Sequence, residues 1–168
     1  LTIKTGATFD PAPAVELFDA WDNQVLTDSS TRITTSMVDS NNATATNNGV
    51  TSFRAVNGVV TITGASFVAI PGTWQLNFAI DGLTGAGSSV TSRDVAVTHA
   101  DPAKIEISTD AKDVETGVAM SPAPIIRVLD QYGNLATGDN QTVVTATLAS
   151  GDSTTTLSGA QVTVTGGI

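Results

Sequence analysis

Residues 11–37 read PAPAVELFDAWDNQVLTDSSTRITTSM and residues 122–148 read PAPIIRVLDQYGNLATGDNQTVVTATL, so one segment occurs twice, without a gap, at a constant offset of 111 residues. A period of that length holds one small all-β domain per copy. Eight pairs are identical: Pro11/Pro122, Ala12/Ala123, Pro13/Pro124, Asp19/Asp130, Asn23/Asn134, Asp28/Asp139, Thr31/Thr142 and Thr34/Thr145. Elsewhere size and polarity are held while identity drifts. Val15 and Leu17 become Ile126 and Val128, Phe18 becomes Leu129, Trp21 becomes Tyr132, and Ile33 and Met37 become Val144 and Leu148. A packed core tolerates such swaps, so the two copies share a packing plan.

The apolar pattern has period two. Val15 and Leu17 flank Glu16, and Ile33, Thr35 and Met37 alternate against Arg32, Thr34 and Ser36, as half-buried strands do. Trp74, Leu76, Phe78 and Ile80 alternate against Thr73, Gln75, Asn77 and Ala79, which predicts a central core strand. Val95 and Val97 predict a last strand, and Leu1 with Ile3 a first one whose counterpart is read as Ile105 with Ile107. No stretch sustains a helical period. Asn, Gly and Pro cluster between the strands at 19–23, 40–42, 47–49, 57–58, 71–72 and 85–87, where residues that accept or preset turn dihedrals are needed. Asp19–Asn23 and Asp130–Asn134 are read as one bend. Its aspartate is expected to bond the turn backbone, with Asp22 and Asn23 taking the left-handed role for which Gly133 and Asn134 are suited. Short strands punctuated this regularly argue for a sandwich.

The Pro-x-Pro start, the Leu/Phe-Asp-x-aromatic-Gly-Asn bend, the Thr-rich strand, Asn57-Gly58-Val59-Val60-Thr61-Ile62, Pro71-Gly72-Thr73-Trp74 and Gly82-Leu83 together resemble the bacterial immunoglobulin-like repeats of the invasin and intimin type. Such repeats build adhesins, surface-layer proteins and other cell-envelope proteins. Asp22 departs from that pattern, which usually has glycine there. The resemblance implies tandem immunoglobulin-like β-sandwiches, the first over residues 1–100 and the second, incomplete, over 101–168. Its motifs are turn and core positions, so they speak to fold more than to activity.

Composition narrows the function classes. A formal net charge of −9 opposes nucleic-acid phosphates. There is no cysteine, hence no disulfide and no thiolate metal site. No apolar run is long enough to cross a bilayer. Leu1 is not an initiator residue, so the chain reads as processed or as part of something longer. An extracellular, cell-surface location is expected from the resemblance and from a Thr-, Ser- and Asn-rich exterior.

Each residue type suited to chemistry also has a plainer role in this sequence. His99, the single histidine, reads as a solvated residue of the link, since no nucleophile elbow accompanies it. Asp19, Asp22 and Asp28, their twins Asp130 and Asp139, and the cluster Asp101, Asp110, Asp113 and Glu115 read as turn caps and solvated charge, with irregular calcium sites as the alternative. Neither catalytic nor cofactor-binding residues are expected. Trp21, Trp74, Phe53 and Phe67 would have to be exposed to stack on sugars; Trp74 is expected in the core and Trp21 packed under its loop. Asn42-Ala-Thr44 and Asn140-Gln-Thr142 match the N-glycosylation acceptor pattern.

Pairing Gly58-Val59 with Gly167-Ile168 predicts that the second copy lacks counterparts of 74–80 and 95–97, and half a sandwich leaves an apolar face and open edges. Three explanations remain: an excerpt of a longer chain, strands not assigned, or strands donated by a neighbouring subunit. The functional expectation is a non-enzymatic spacer, surface-layer or fibre segment, joined through Asp101–Lys104 and contacting neighbouring repeats or copies of itself. The alternatives are an adhesin or carbohydrate-binding module with a glycan or host-surface ligand, and a strand-donating filament subunit.

Overall fold

In the computed structural model, which describes residues 1–150 and 156–168, every regular element is a β-strand. The chain divides into two units, Leu1–Thr98 and His99–Ile168.

The first unit contains ten strands: β1 (Thr2–Lys4), β2 (Ala14–Glu16), β3 (Arg32–Val38), β4 (Thr46–Asn47), β5 (Ser52–Arg54), β6 (Val59–Thr61), β7 (Phe67–Val68), β8 (Gly72–Ile80), β9 (Ser89–Thr91) and β10 (Val95–Thr98). Strand β8 lies inside a curled sheet of order β1-β10-β8-β3-β5, with β9 also paired to β8. The pairs are antiparallel except β1 with β10, which is parallel. Alternation in β3 and β8 maps onto burial as expected: Ile33, Thr35 and Met37, and Trp74, Leu76 and Phe78, face inward. The pairs β2–β6 and β4–β7 form two further short sheets. Val60 and Ile62 from the β6 side, Phe67 from β7 and Ile33, Leu76 and Val95 from the large sheet share one apolar cluster. Phe9 meets Phe67 edge-on at 6.4 Å, a favoured aromatic geometry.

The second unit contains β11 (Pro102–Thr109), β12 (Ile125–Asp130), β13 (Val143–Thr145) and β14 (Gln161–Thr163), paired as β11–β12 and β13–β14. Pro102 to Lys104, read from sequence as a link, instead opens β11. The unit repeats part of the first down to individual hydrogen bonds. Leu17 N donates to Gly58 O at 2.9 Å, and Val128 N to Gly167 O at 2.8 Å. Ala55 N donates to Thr31 O at 2.9 Å, and Val164 N to Thr142 O at 2.8 Å. The β3–β5 register, Arg32 with Arg54, recurs as Val143 with Thr163 in β13–β14. A cis peptide bond precedes both Pro11 and Pro122.

One expected correspondence is corrected. Ala7 N bonds Lys4 O, and Val118 N bonds Glu115 O, both at 3.1 Å, around Gly6 and Gly117, whose φ angles are 77° and 82°. The offset of 111 therefore extends upstream of Pro11, and Ile3 corresponds to Val114 rather than to Ile107. Alternation alone could not fix that alignment, because any two strands of period two superpose equally well. Strand β11 consequently has no counterpart among the residues of the first unit.

Candidate functional site

The two copies of the repeat differ at one strand edge. Backbone groups of alternate residues point to opposite edges of a strand. In the first unit Ile62 N donates to Pro13 O at 2.8 Å and Leu17 N to Gly58 O, so Pro13, Val15 and Leu17 face β6. Ala14, Glu16 and Phe18 direct their backbone groups to the other edge, where β2 has no neighbouring strand among the described residues. In the second unit Val128 N is committed to Gly167 O, so Arg127 and Leu129 face the corresponding edge. There β11 lies antiparallel, with Glu106 opposite Arg127 and Lys104 opposite Leu129.

Beside the vacant edge of β2 the first unit opens into a cavity of about 870 Å³. Leu17, Ile33, Leu76, Phe78 and Val95 contribute to its apolar lining, and Leu1, Phe18 and Val90 stand at its margin with half or more of their surfaces exposed. Asp19, Asp22 and Asp28 make the β2 end acidic. The arrangement can accept an extended, apolar backbone segment. The hydroxyl that meets a carboxylate there, Thr31 Oγ1, donates to Asp28 Oδ2 as part of a turn.

The aspartates at that end are structural elements of turns. Asp19 Oδ1 accepts from Trp21 N and Asn23 N, both at 2.9 Å, and Asp130 Oδ1 accepts from Tyr132 N and Asn134 N at the same distance. The left-handed residue is Asp22 (φ 62°) in one turn and Gly133 (φ 91°) in the other; Asn23 and Asn134 do not share that conformation. A third turn of the same construction lies beyond the repeated segment 11–37. Asp39 Oδ1 accepts from Asn41 N and Ala43 N at 2.8 Å, and Asn42 takes φ 61°. Its sequence signal is an Asp followed three positions later by Asp, Asn or Gly, and Asp39-Ser-Asn-Asn42 carries it.

These bonds favour the ionised carboxylates. The Asn23 backbone N–H, then its side-chain amide and the Trp21 N–H hold the Asp19 carboxyl below its ordinary range. The Thr31 hydroxyl, followed by the N–H groups of Ser30 and Thr31, depresses Asp28 strongly. For the wholly buried Asp130, burial pushes upward but is outweighed by donors from the Asn134 side chain and the N–H groups of Ala100, Asn134 and Tyr132. Asp139 is lowered chiefly by Thr142 and the Gln141 N–H. Among the described residues no three His, Cys, Asp or Glu side chains gather as a metal site. Asp110, Asp113 and Glu115 are exposed outside any strand.

His99 is half-buried and knitted into the second unit, in contrast to the solvated link residue read from sequence. Its Nδ1 lies 2.7 Å from Ala100 O, and its Nε2 accepts from Gly138 N at 2.9 Å. The two contacts select the tautomer protonated on Nδ1. Trp21 also departs from expectation: it is 81% exposed and does not pack beneath its loop. Trp74, Phe53 and Phe67 are buried, so the four rings form no stacking platform. Asn42 is exposed at its turn, whereas Asn140 is bonded to Gly138 O and Gly166 N through its side chain.

No family model, curated protein or solved structure matches the chain.

Proposed function

We propose that the chain is a tandem segment of immunoglobulin-like sandwich repeats from a prokaryotic surface protein, serving as a spacer, surface-layer or fibre component rather than an enzyme. One observation carries this reading: the bend and the strand after it recur 111 residues further on, and their hairpin partner and close glycine turn recur 109 residues further on, with the same register and hydrogen bonds. What is kept is scaffold. The Asp turns and inward-facing aliphatic residues fix chain direction and packing, and such positions carry a fold rather than an activity. Repeats of this kind set distance through their number. Antibody raised against the chain should label intact cells of the organism that makes it, and mild external proteolysis should remove the label. Labelling only after lysis would overturn the reading.

A second reading, a binding module, draws on Trp21 and Phe18, two exposed aromatic side chains near one end of β2. It requires that Trp21→Ala abolish retention on a glycan array while leaving the melting temperature unchanged.

A further inference from the structure

We infer that the groove beside β2 is the seat of a further strand, antiparallel to β2 and supplied by polypeptide that enters the first unit immediately ahead of Leu1. The inference rests on the repeat reading, though not on cell-surface location. Four observations support it. The equivalent edge in the second unit holds β11 in a defined register, so the chain itself displays the missing pairing. Carried back by 111 residues, β11 would fall directly upstream of Leu1, and Leu1 lines the groove that such a segment would have to enter. Ile105 and Ile107 stand opposite Val128 and Ile126, the counterparts of Leu17 and Val15, so a strand of this pattern would turn its two aliphatic side chains toward the apolar groove. Finally, Lys104 is opposite Leu129, and its Nζ reaches the Gly133 turn. A lysine at that position in the first unit would meet the turn carrying Asp19 and Asp22.

The occupant is therefore an extended strand with aliphatic residues at alternate positions and a cation near its start, joined in cis. In the second unit the same strand leaves Ile105 and Ile107 about 60% exposed, at 61% and 59%. Edge groups left open in this way are a template for pairing, and covering them removes a route to aggregation.

The test extends the full chain ahead of Leu1 with a copy of Asp101–Ala111, which reproduces the spacing found before Lys112. Amide exchange at Ala14, Glu16 and Phe18 should slow by about tenfold or more, and the chain should remain monomeric in sedimentation. The same extension with its two isoleucines replaced by asparagine should lose that protection. Unchanged exchange, or equal protection by both extensions, would overturn the proposal. So would concentration-dependent self-association that protects the same amides in the unextended chain, because a second copy would then be the occupant. As a check independent of the fusion, a synthetic peptide of the Asp101–Thr109 sequence should slow the same amides at saturation, and no effect at any concentration counts against the groove. Surface labelling tests the function separately, so either result can fail alone.

Discussion

Asp19 and Asp130 make the same turn bonds in different surroundings, and that difference sets what each is worth. Asp130 is fully buried and also accepts from Ala100 N at 2.9 Å. Asp130→Ala strands three backbone donors and should destabilise the second unit by about 2–3 kcal/mol, read from denaturant unfolding. Asp19→Ala, on an exposed loop, should cost clearly less, since water can reach the freed donors; an equal cost would show that burial is not what distinguishes them. Thr35 presents the opposite case. Its hydroxyl is buried in β3 without a hydrogen-bond partner among the described residues, so Thr35→Val should stabilise by about 1 kcal/mol, with a raised melting temperature as the check.

At the scale of elements, the tight turns carry the strictest requirements. A Cβ at Gly58 would lie 2.1 Å from Val25 O, on backbone at φ 74°. Its counterpart Gly167 allows 2.9 Å from Ala136 O. Gly58→Ala should therefore cost at least about 2 kcal/mol, and Gly167→Ala less, as measured by the shift in each unit's unfolding midpoint. Strands β3 and β8 were legible because each buries one face, which writes a period of two directly into Ile33-x-Thr35-x-Met37 and Trp74-x-Leu76-x-Phe78. The pairing of β1 with β10 and of β2 with β6 was not, since strand partners distant in sequence leave no local mark. The Asp turns could be read because the aspartate bonds residues two and four positions ahead. Trp21 misled because a large aromatic ring ordinarily packs, whereas here the turn lifts it into solvent. The vacant β2 edge lay beyond any sequence argument: it emerges only when Gly6 and Gly117 align the two copies and leave β11 unmatched.

For the whole molecule, the two units differ in what holds them. The first gathers its apolar side chains into one broad cluster, while the second buries Val128, Ala136 and Val164 with Val144 against them and leaves Val143 and Val162 more than half exposed. Amides of β11 and β13 should accordingly exchange faster than those of β3 and β8 by several orders of magnitude, measurable by mass spectrometry of the intact chain; comparable rates would contradict the difference in packing. Acid should weaken both units. Asp19, Asp28, Asp130 and Asp139 are all held below the ordinary carboxylate range of about 4. A depressed folded-state value means that the stabilisation is complete above the unfolded-state range and is lost as pH falls through the folded value. Melting temperature should thus be flat above about pH 5 and decline below about pH 4, and Asp28→Asn should flatten part of that decline.

The placement of Trp21, Trp74 and Tyr132 has a spectroscopic consequence. Both tryptophans of the chain fall in the first unit and its single tyrosine in the second, so indole and phenol emission report on separate bodies without any label. Trp21, in water, supplies a constant red-shifted background, while Trp74, packed in the core with its Nε1 donating to Ile70 O at 3.0 Å, carries the change on unfolding. Replacing Trp21 with phenylalanine would leave one buried indole and one phenol, an optical readout for each half of the chain.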